Sequence, residues 1–189
     1  MIITFSGAAG SGKSTIAQEL ADNLKWPRYY MGGLRREAAK KKGLTLAEYN
    51  ELGEEDPKTD MEADAYQKEL GETQDNFIIE GRTSWYFIPH SLKIYLDVSL
   101  EEGAKRIFLS LKEKNERNEA LGLESLADVK ASILKRLESD SKRYKKYYNI
   151  DVNDFSHYDY YLDTTKMSKK EVMKAVFDFV EGRLDKAKK

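Results

Sequence analysis

Eight residues near the start of the chain have the types and spacing to hold an anion. Gly7, Ala8, Ala9, Gly10, Ser11, Gly12, Lys13 and Ser14 fit the pattern G-x-x-x-x-G-K-[ST] without a mismatch. Glycines let the backbone curl until successive N–H groups point at one phosphate, and a helix N-terminus adds partial positive charge. Lys13 can reach the outer phosphates of a nucleoside triphosphate. The Ser14 hydroxyl can ligate Mg²⁺, and Thr15 completes the set expected to bind the cofactor.

Further candidates lie downstream. Phe77-Ile78-Ile79 ends abruptly in Glu80, then Gly81-Arg82. A carboxylate at a strand tip beside such a loop can help hold Mg²⁺, and an arginine there can fork onto a phosphate. Arg136, Asp140 and Arg143 stand at i, i+4 and i+7 and share one helix face, with Ile133, Leu134 and Leu137 free to anchor the helix elsewhere. Spacing alone leaves that trio open to a second reading as a solvated face of weak ion pairs. Arg35-Arg36 after Gly32-Gly33 can clamp a second phosphate or start a solvated helix. Asp60, Asp64 and Gln67 share a polar face that can read a base edge or simply face water.

The elements that must position these groups follow from apolar periodicity. Met1 to Phe5 reads as a buried strand, and Ile16, Leu20 and Leu24 with Ala17 and Ala21 form a helix stripe behind the loop. Trp26-Pro27 breaks that helix, and Tyr29 to Met31 is expected as a short strand. Strands are also expected at Phe77–Ile79, Leu92–Val98 and Tyr158–Leu162, and a long helix from about Leu126 towards Tyr148. Capping boxes are expected at Thr45–Glu48, Ser99–Glu102 and Ser168–Glu171. Short strands alternating with helices predict a three-layer α/β fold with a five-stranded parallel sheet in one domain, residues 1–189. Two helical segments, 34–75 and 107–130, are left over as insertions at the ligand end of the sheet.

Composition bounds the rest. Lys+Arg (32) and Asp+Glu (33) nearly cancel, so no global field draws the chain to nucleic acid or an anionic membrane. It has no cysteine, which excludes disulfides and thiolate metal sites. A first strand beginning at Met1 is expected to be core rather than a targeting segment, and no apolar stretch reaches the length of a membrane span. The expected setting is cytoplasmic. A monomer with small-molecule nucleotide partners, and no nucleic-acid or membrane partner, is expected. No [NT]-K-x-D pattern that reads guanine is present: Thr165-Lys166-Met167-Ser168 lacks the final aspartate.

Taken together these residues resemble the cytidylate kinase family, most closely its shorter, archaeal-like members. The likeness runs from Ile2-Ile3-Thr4-Phe5-Ser6-Gly7 through Glu80-Gly81-Arg82, Lys93-Ile94-Tyr95-Leu96, Ala104-Lys105-Arg106 and Lys142–Tyr148 to Leu162-Asp163-Thr164-Thr165. The resemblance implies a P-loop kinase fold with a monophosphate-binding segment (34–75) and a lid (107–130). It implies transfer of the γ-phosphoryl of ATP, with Mg²⁺, to CMP or dCMP, giving ADP and CDP or dCDP. Lys13, Arg82, Arg136 and Arg143 would carry the catalysis. The acceptor would be bound by Arg36, Asp64, Gln67, Arg82, Arg136, Asp140 and Arg143. Arg106 and Arg117 would face the triphosphate from the lid side, Asp163, Thr164 and Thr165 would lie near the adenine, and Ser14 and Glu80 would serve the metal. The sequence departs from the bacterial members at Thr83, where they place an aspartate that helps read cytosine, and from the archaeal-like pattern at Gly33, where an aspartate is frequent. A kinase of the same fold with another acceptor (UMP, AMP, dTMP or a small metabolite) and a non-transferring nucleotide-binding regulator are the competing readings.

Overall fold

The computed structural model describes residues 1–112 and 122–187. Five strands form one parallel sheet in the order β2-β3-β1-β4-β5: β1 Ile2–Gly7, β2 Arg28–Tyr30, β3 Phe77–Glu80, β4 Leu92–Asp97 and β5 Tyr160–Asp163. The central strand is β1, buried along its whole length. Parallel strands need crossovers, and helices on both faces supply them. Helix α1 (Lys13–Leu24) follows β1 at once and buries Ile16, Ala17, Leu20 and Ala21. It joins α8 (Lys169–Ala187) over Ile3, Phe5, Ile94 and Leu96, with Val172, Val176 and Val180 facing inward. On the opposite face Ile2, Phe77 and Ile79 pack on Leu70, Ile88 and Met31.

The segment between β2 and β3 carries three helices joined by short turns: α2 Met31–Lys41, α3 Leu46–Glu55 and α4 Lys58–Thr73. The Thr45–Glu48 capping box is formed at the start of α3. After β3 come the single turn α5 (Ser84–Phe87) and, beyond β4, α6 (Leu100–Leu111) and the long α7 (Leu126–Tyr148). Helices α6 and α7 meet through Ala104, Ile107, Val129 and Ile133. Ser168 and Glu171 cap one another reciprocally at α8. At α6 only half of the expected box forms. Ser99 Oγ accepts from the Glu102 N–H at 3.3 Å, but the Glu102 carboxylate turns to Arg106.

Three local expectations change. Met31 opens α2 instead of closing β2. Tyr158 stands outside β5 because its N–H is taken in a turn by the Phe155 carbonyl, and the ladder begins at Tyr160. Ile133 is buried as an anchor, but Leu134 remains 53% exposed and Leu137 stays exposed too, since α7 packs by one narrow stripe. Of the expected lid, residues 113–121 and with them Arg117 lie outside the described residues. Among the described residues no helix is long and apolar enough to cross a membrane.

Candidate active site

The loop between β1 and α1 takes the conformation its glycines permit. Gly10 has φ 81° and Gly12, the cap of α1, has φ 88°, values that side chains rarely adopt. A Cβ at Gly10 would lie 2.4 Å from the Gly103 carbonyl oxygen, and one at Gly103 would lie 2.5 Å from the Ala9 carbonyl oxygen. The loop therefore rests directly on the backbone of α6, with no side chain between. Gly103→Ala is expected to push the loop away, costing about 1–3 kcal/mol. The check is a lower melting temperature together with a raised KM for ATP.

Lys13 curls over the loop and donates to the carbonyls of Gly7 (2.9 Å) and Ala8 (2.6 Å). Behind the loop, Arg106 donates to the Gly10 carbonyl, to the Thr164 hydroxyl at 3.2 Å and to the Thr164 carbonyl at 2.9 Å. Thr164 is buried and its hydroxyl is also within reach of the Ser11 and Asp97 carbonyls. The hydroxyl of its neighbour Thr165 accepts from the Ser99 N–H and donates to Asp163. Thr164 thus ties the end of β5, β4 and the loop together, a role that the sequence does not separate from that of Thr165 beside it.

A cleft of about 180 Å³ opens beside Lys13, Ser14 and Thr15, and Arg36, Glu80, Arg82 and Arg136 also line it. Residues from α1, α2, the end of β3 and α7 thus converge on one space. A larger cavity of about 450 Å³ adjoins it past Arg82, walled by Trp85, Tyr95, Tyr144 and Tyr158. It reaches neither Lys13 nor Ser14, so the smaller cleft is the one equipped for phosphate chemistry.

Arg35 and Arg36 part company. Arg36 faces the cleft and donates to the Tyr30 hydroxyl at 2.6 Å and the Gly32 carbonyl at 3.1 Å. The Tyr30 ring lies where side chains on Gly32 and Gly33 would stand: a Cβ at Gly32 would come within 2.8 Å of it, and one at Gly33 within 2.9 Å. Arg35 turns inward, to Asn50 at 2.7 Å and to Asp60.

Glu80 is buried at the tip of β3. One carboxylate oxygen pairs with Arg28, while the other has no hydrogen-bond partner among the described residues. Ser14 lines the same cleft. An unsatisfied buried carboxylate oxygen is costly, and a hydrated divalent cation is the kind of partner that would satisfy it. The residues present therefore fit Mg²⁺.

Arg136, Asp140 and Arg143 do project from one face of α7, with different fates. Arg136 lines the cleft, with Nε 4.0 Å from Asp140. Asp140 is buried between Arg82 and Arg143. Arg143, expected to touch substrate, is 0% exposed and lies outside the cleft. It donates to both Asp60 oxygens at 2.7 and 2.6 Å and to Asp140. Burial by itself drives the Asp140 carboxyl upward, but Arg82, Arg143 and Arg136 outweigh it and hold the group below its ordinary value.

The α4 face expected to read a base or meet water turns inward. Gln67 is buried and accepts from the Ser84 hydroxyl at 2.6 Å, with its amide 3.5 Å from Asp64. Tyr148 donates to Asp64. Burial pushes the Asp64 carboxyl up to about 6, against the lowering effect of that hydrogen bond. Its folded value exceeds its unfolded one, so its contribution to stability is full below about pH 4 and is lost as pH rises through about 6. Asp64→Asn removes that loss. Urea unfolding should show the variant gaining on the wild type between about pH 4 and pH 7; a constant difference would contradict the burial.

The sequence profile of the cytidylate kinase-like family matches residues 2–166. A cytidylate kinase of Halobacterium salinarum is 35% identical over 184 residues, covering 96% of this chain and 90% of the relative. That of Pyrococcus furiosus is 34% identical over 186 residues, 98% of this chain and 88% of the relative.

The chain belongs to the cytidylate kinase-like family.

Among solved structures, a shikimate kinase from Bacteroides thetaiotaomicron superposes with a TM-score of 0.62 at 15% identity, covering 98% of each chain. An uncharacterized protein from Eubacterium ventriosum reaches 0.67, also at 15%, over 96% of this chain and 98% of that one. At such identity the likeness concerns the fold alone: a parallel five-stranded sheet with a phosphate loop after its central strand. Family membership and the cleft geometry agree on a phosphotransferase whose donor loop faces a group of arginines.

Proposed function

We propose that this family member transfers the γ-phosphoryl group of ATP to CMP or dCMP. The observation that carries the reading is the convergence of Lys13 and Ser14 with Arg36, Arg82 and Arg136 on one cleft. A donor needs the first pair, and an acceptor that is itself a phosphate calls for the arginines. Arg35, Arg82, Arg136 and Arg143 share two buried carboxylates, Asp60 and Asp140, so the cations of this cluster outnumber the anions by two. Arg82 and Arg136 are the members of this group that line the cleft, which suits an anionic acceptor.

An oxygen of the acceptor phosphate attacks the γ-phosphorus in line. The bond to the β–γ bridging oxygen breaks, and ADP departs with that oxygen. The chain contributes no nucleophile; it orients the two phosphates and offsets their charge. The backbone N–H groups of Gly7–Ser14 and the Lys13 ammonium would hold the donor. Arg36, Arg82 and Arg136 would hold the acceptor phosphate. Ser14 and Glu80 would hold Mg²⁺, directly or through water, and the ion when bound neutralises the β- and γ-oxygens. Asp64 and Gln67, the base readers expected from the sequence, bond to one another, to Tyr148 and to Ser84 and line neither the cleft nor the cavity beside it, so the base is not assigned to them. Thr165, at the start of the turn after β5, and Arg106 belong to the donor side. A cytoplasmic setting and a monomeric state are part of the same proposal.

The test is ADP release across CMP, dCMP, UMP, AMP and dTMP. Stimulation greatest with CMP or dCMP is expected. Equal or greater stimulation by another monophosphate would move the acceptor, and none by any of them would favour a non-transferring regulator.

A further inference from the structure

Two residues outside the cleft, Asp60 and Gly53, sit where α2, α3, α4 and α7 meet, and α2 and α7 carry two of the acceptor-side arginines, Arg36 and Arg136. Asp60, on α4, is buried and receives Arg143 from α7 through both oxygens, together with Arg35 from α2. The other arm of the Arg143 fork goes to Asp140, whose second oxygen holds Arg82. A continuous chain of charged contacts therefore runs Asp60–Arg143–Asp140–Arg82, and only its last member lines the cleft.

Gly53 makes room for this chain. It lies inside α3, where glycine is a poor helix former, and its φ is ordinary, so backbone freedom does not explain it. Space does. A Cβ there would stand 2.6 Å from the Thr59 hydroxyl, 3.0 Å from Arg143 Cδ and 3.1 Å from Arg35 Nη2. The same turn of α3 is pinned to α7 by Tyr147, which donates to the Gly53 carbonyl at 2.9 Å, and by Ser139, which donates to the Asn50 carbonyl.

We infer that Asp60, with the notch at Gly53, is a positioning residue that sets Arg82 against the acceptor phosphate through Arg143 and Asp140. This rests on the proposed acceptor site. Arg143 is thereby a strut between two carboxylates and not a phosphate ligand. Its planar fork suits that task, because one guanidinium reaches two carboxylates in two directions, which an ammonium does not. The displacement of a phosphate-orienting group by even a fraction of its length is felt in both acceptor affinity and rate.

The experiment compares the full chain with Asp60→Asn and Gly53→Ala in steady-state kinetics for both substrates, alongside thermal unfolding. Asp60→Asn removes the charge at nearly constant shape; Gly53→Ala keeps every charge and shifts Arg143 and Arg35 sterically. In each folded variant the acceptor KM is expected to rise and kcat to fall, together lowering kcat/KM for the acceptor about tenfold or more. KM for ATP should change less than about threefold, since the loop at Gly7–Ser14 is not part of the chain of contacts. Folded variants with wild-type acceptor kinetics, or with equal losses on both substrates, would overturn the inference. So would loss of a cooperative melt in both, which would assign the cluster to folding alone. Wild-type protein that phosphorylates no monophosphate would overturn the acceptor reading and this inference with it, whereas active wild type with unaffected variants would overturn this inference alone.

Discussion

Lys13→Ala is expected to lower kcat/KM by about 10²–10³-fold while leaving the unfolding transition nearly in place. The lysine is half-buried at the mouth of the cleft, and its ammonium is held by the loop carbonyls of Gly7 and Ala8. Those acceptors can turn to water when it is removed, so the cost to the fold is that of ordinary hydrogen bonds, about 1 kcal/mol each. The cost to the reaction is larger. The charge that builds between the two phosphates needs a cation fixed before the reaction begins, and water that must reorganise is a poor substitute. The measurement is a coupled ADP-release assay on variant and wild type at matched folded fraction. Undiminished turnover would contradict the assignment of the loop.

Asp140→Asn is expected to act chiefly on stability, by about 3–5 kcal/mol. Asp140 is buried and faces Arg82 and Arg143, one on each oxygen, and Arg143 is itself wholly enclosed. Removing the negative charge leaves guanidinium groups short of compensation where water cannot help. The sign with pH follows from the depressed carboxyl. Its contribution to stability is present above its unfolded value, about 3.9, and is lost as pH falls through the lower folded value. Urea denaturation should thus show a large deficit for the variant near neutrality that narrows in acid. A variant as stable as wild type at neutral pH would contradict the ion cluster.

Much of the scaffold is legible in the sequence because burial on both faces of a parallel sheet leaves plain apolar runs. Ile2–Phe5, Phe77–Ile79 and the stretch from Leu92 all fall on strands. The capping pairs Thr45–Glu48 and Ser168–Glu171 depend on residues three apart, so local sequence determines them. The phosphate loop likewise draws its geometry from its own glycines. What stays hidden needs contacts between distant segments. Arg35 and Arg36 are neighbours of one type, and only the position of Asn50 and Asp60 decides which turns inward. Periodicity places charged residues in water, so the enclosed Asp60, Asp140 and Arg143 run against the pattern; each is tolerated because another segment brings its counter-charge. The same holds for Gly53, whose reason is a guanidinium arriving from α7, far along the chain. Nothing local favours Thr164 over Thr165, because only the fold shows which of two adjacent hydroxyls is buried against the loop.

The most direct test of phosphoryl transfer follows the group itself. ATP labelled in its γ-phosphate is incubated with the protein and Mg²⁺, with and without CMP or dCMP, and the products are separated. The expected result is label in CDP or dCDP, formed in step with ADP and about 10²–10³-fold more slowly when Lys13 is replaced by alanine. Label that leaves only as inorganic phosphate, at a rate indifferent to the monophosphate, would contradict it.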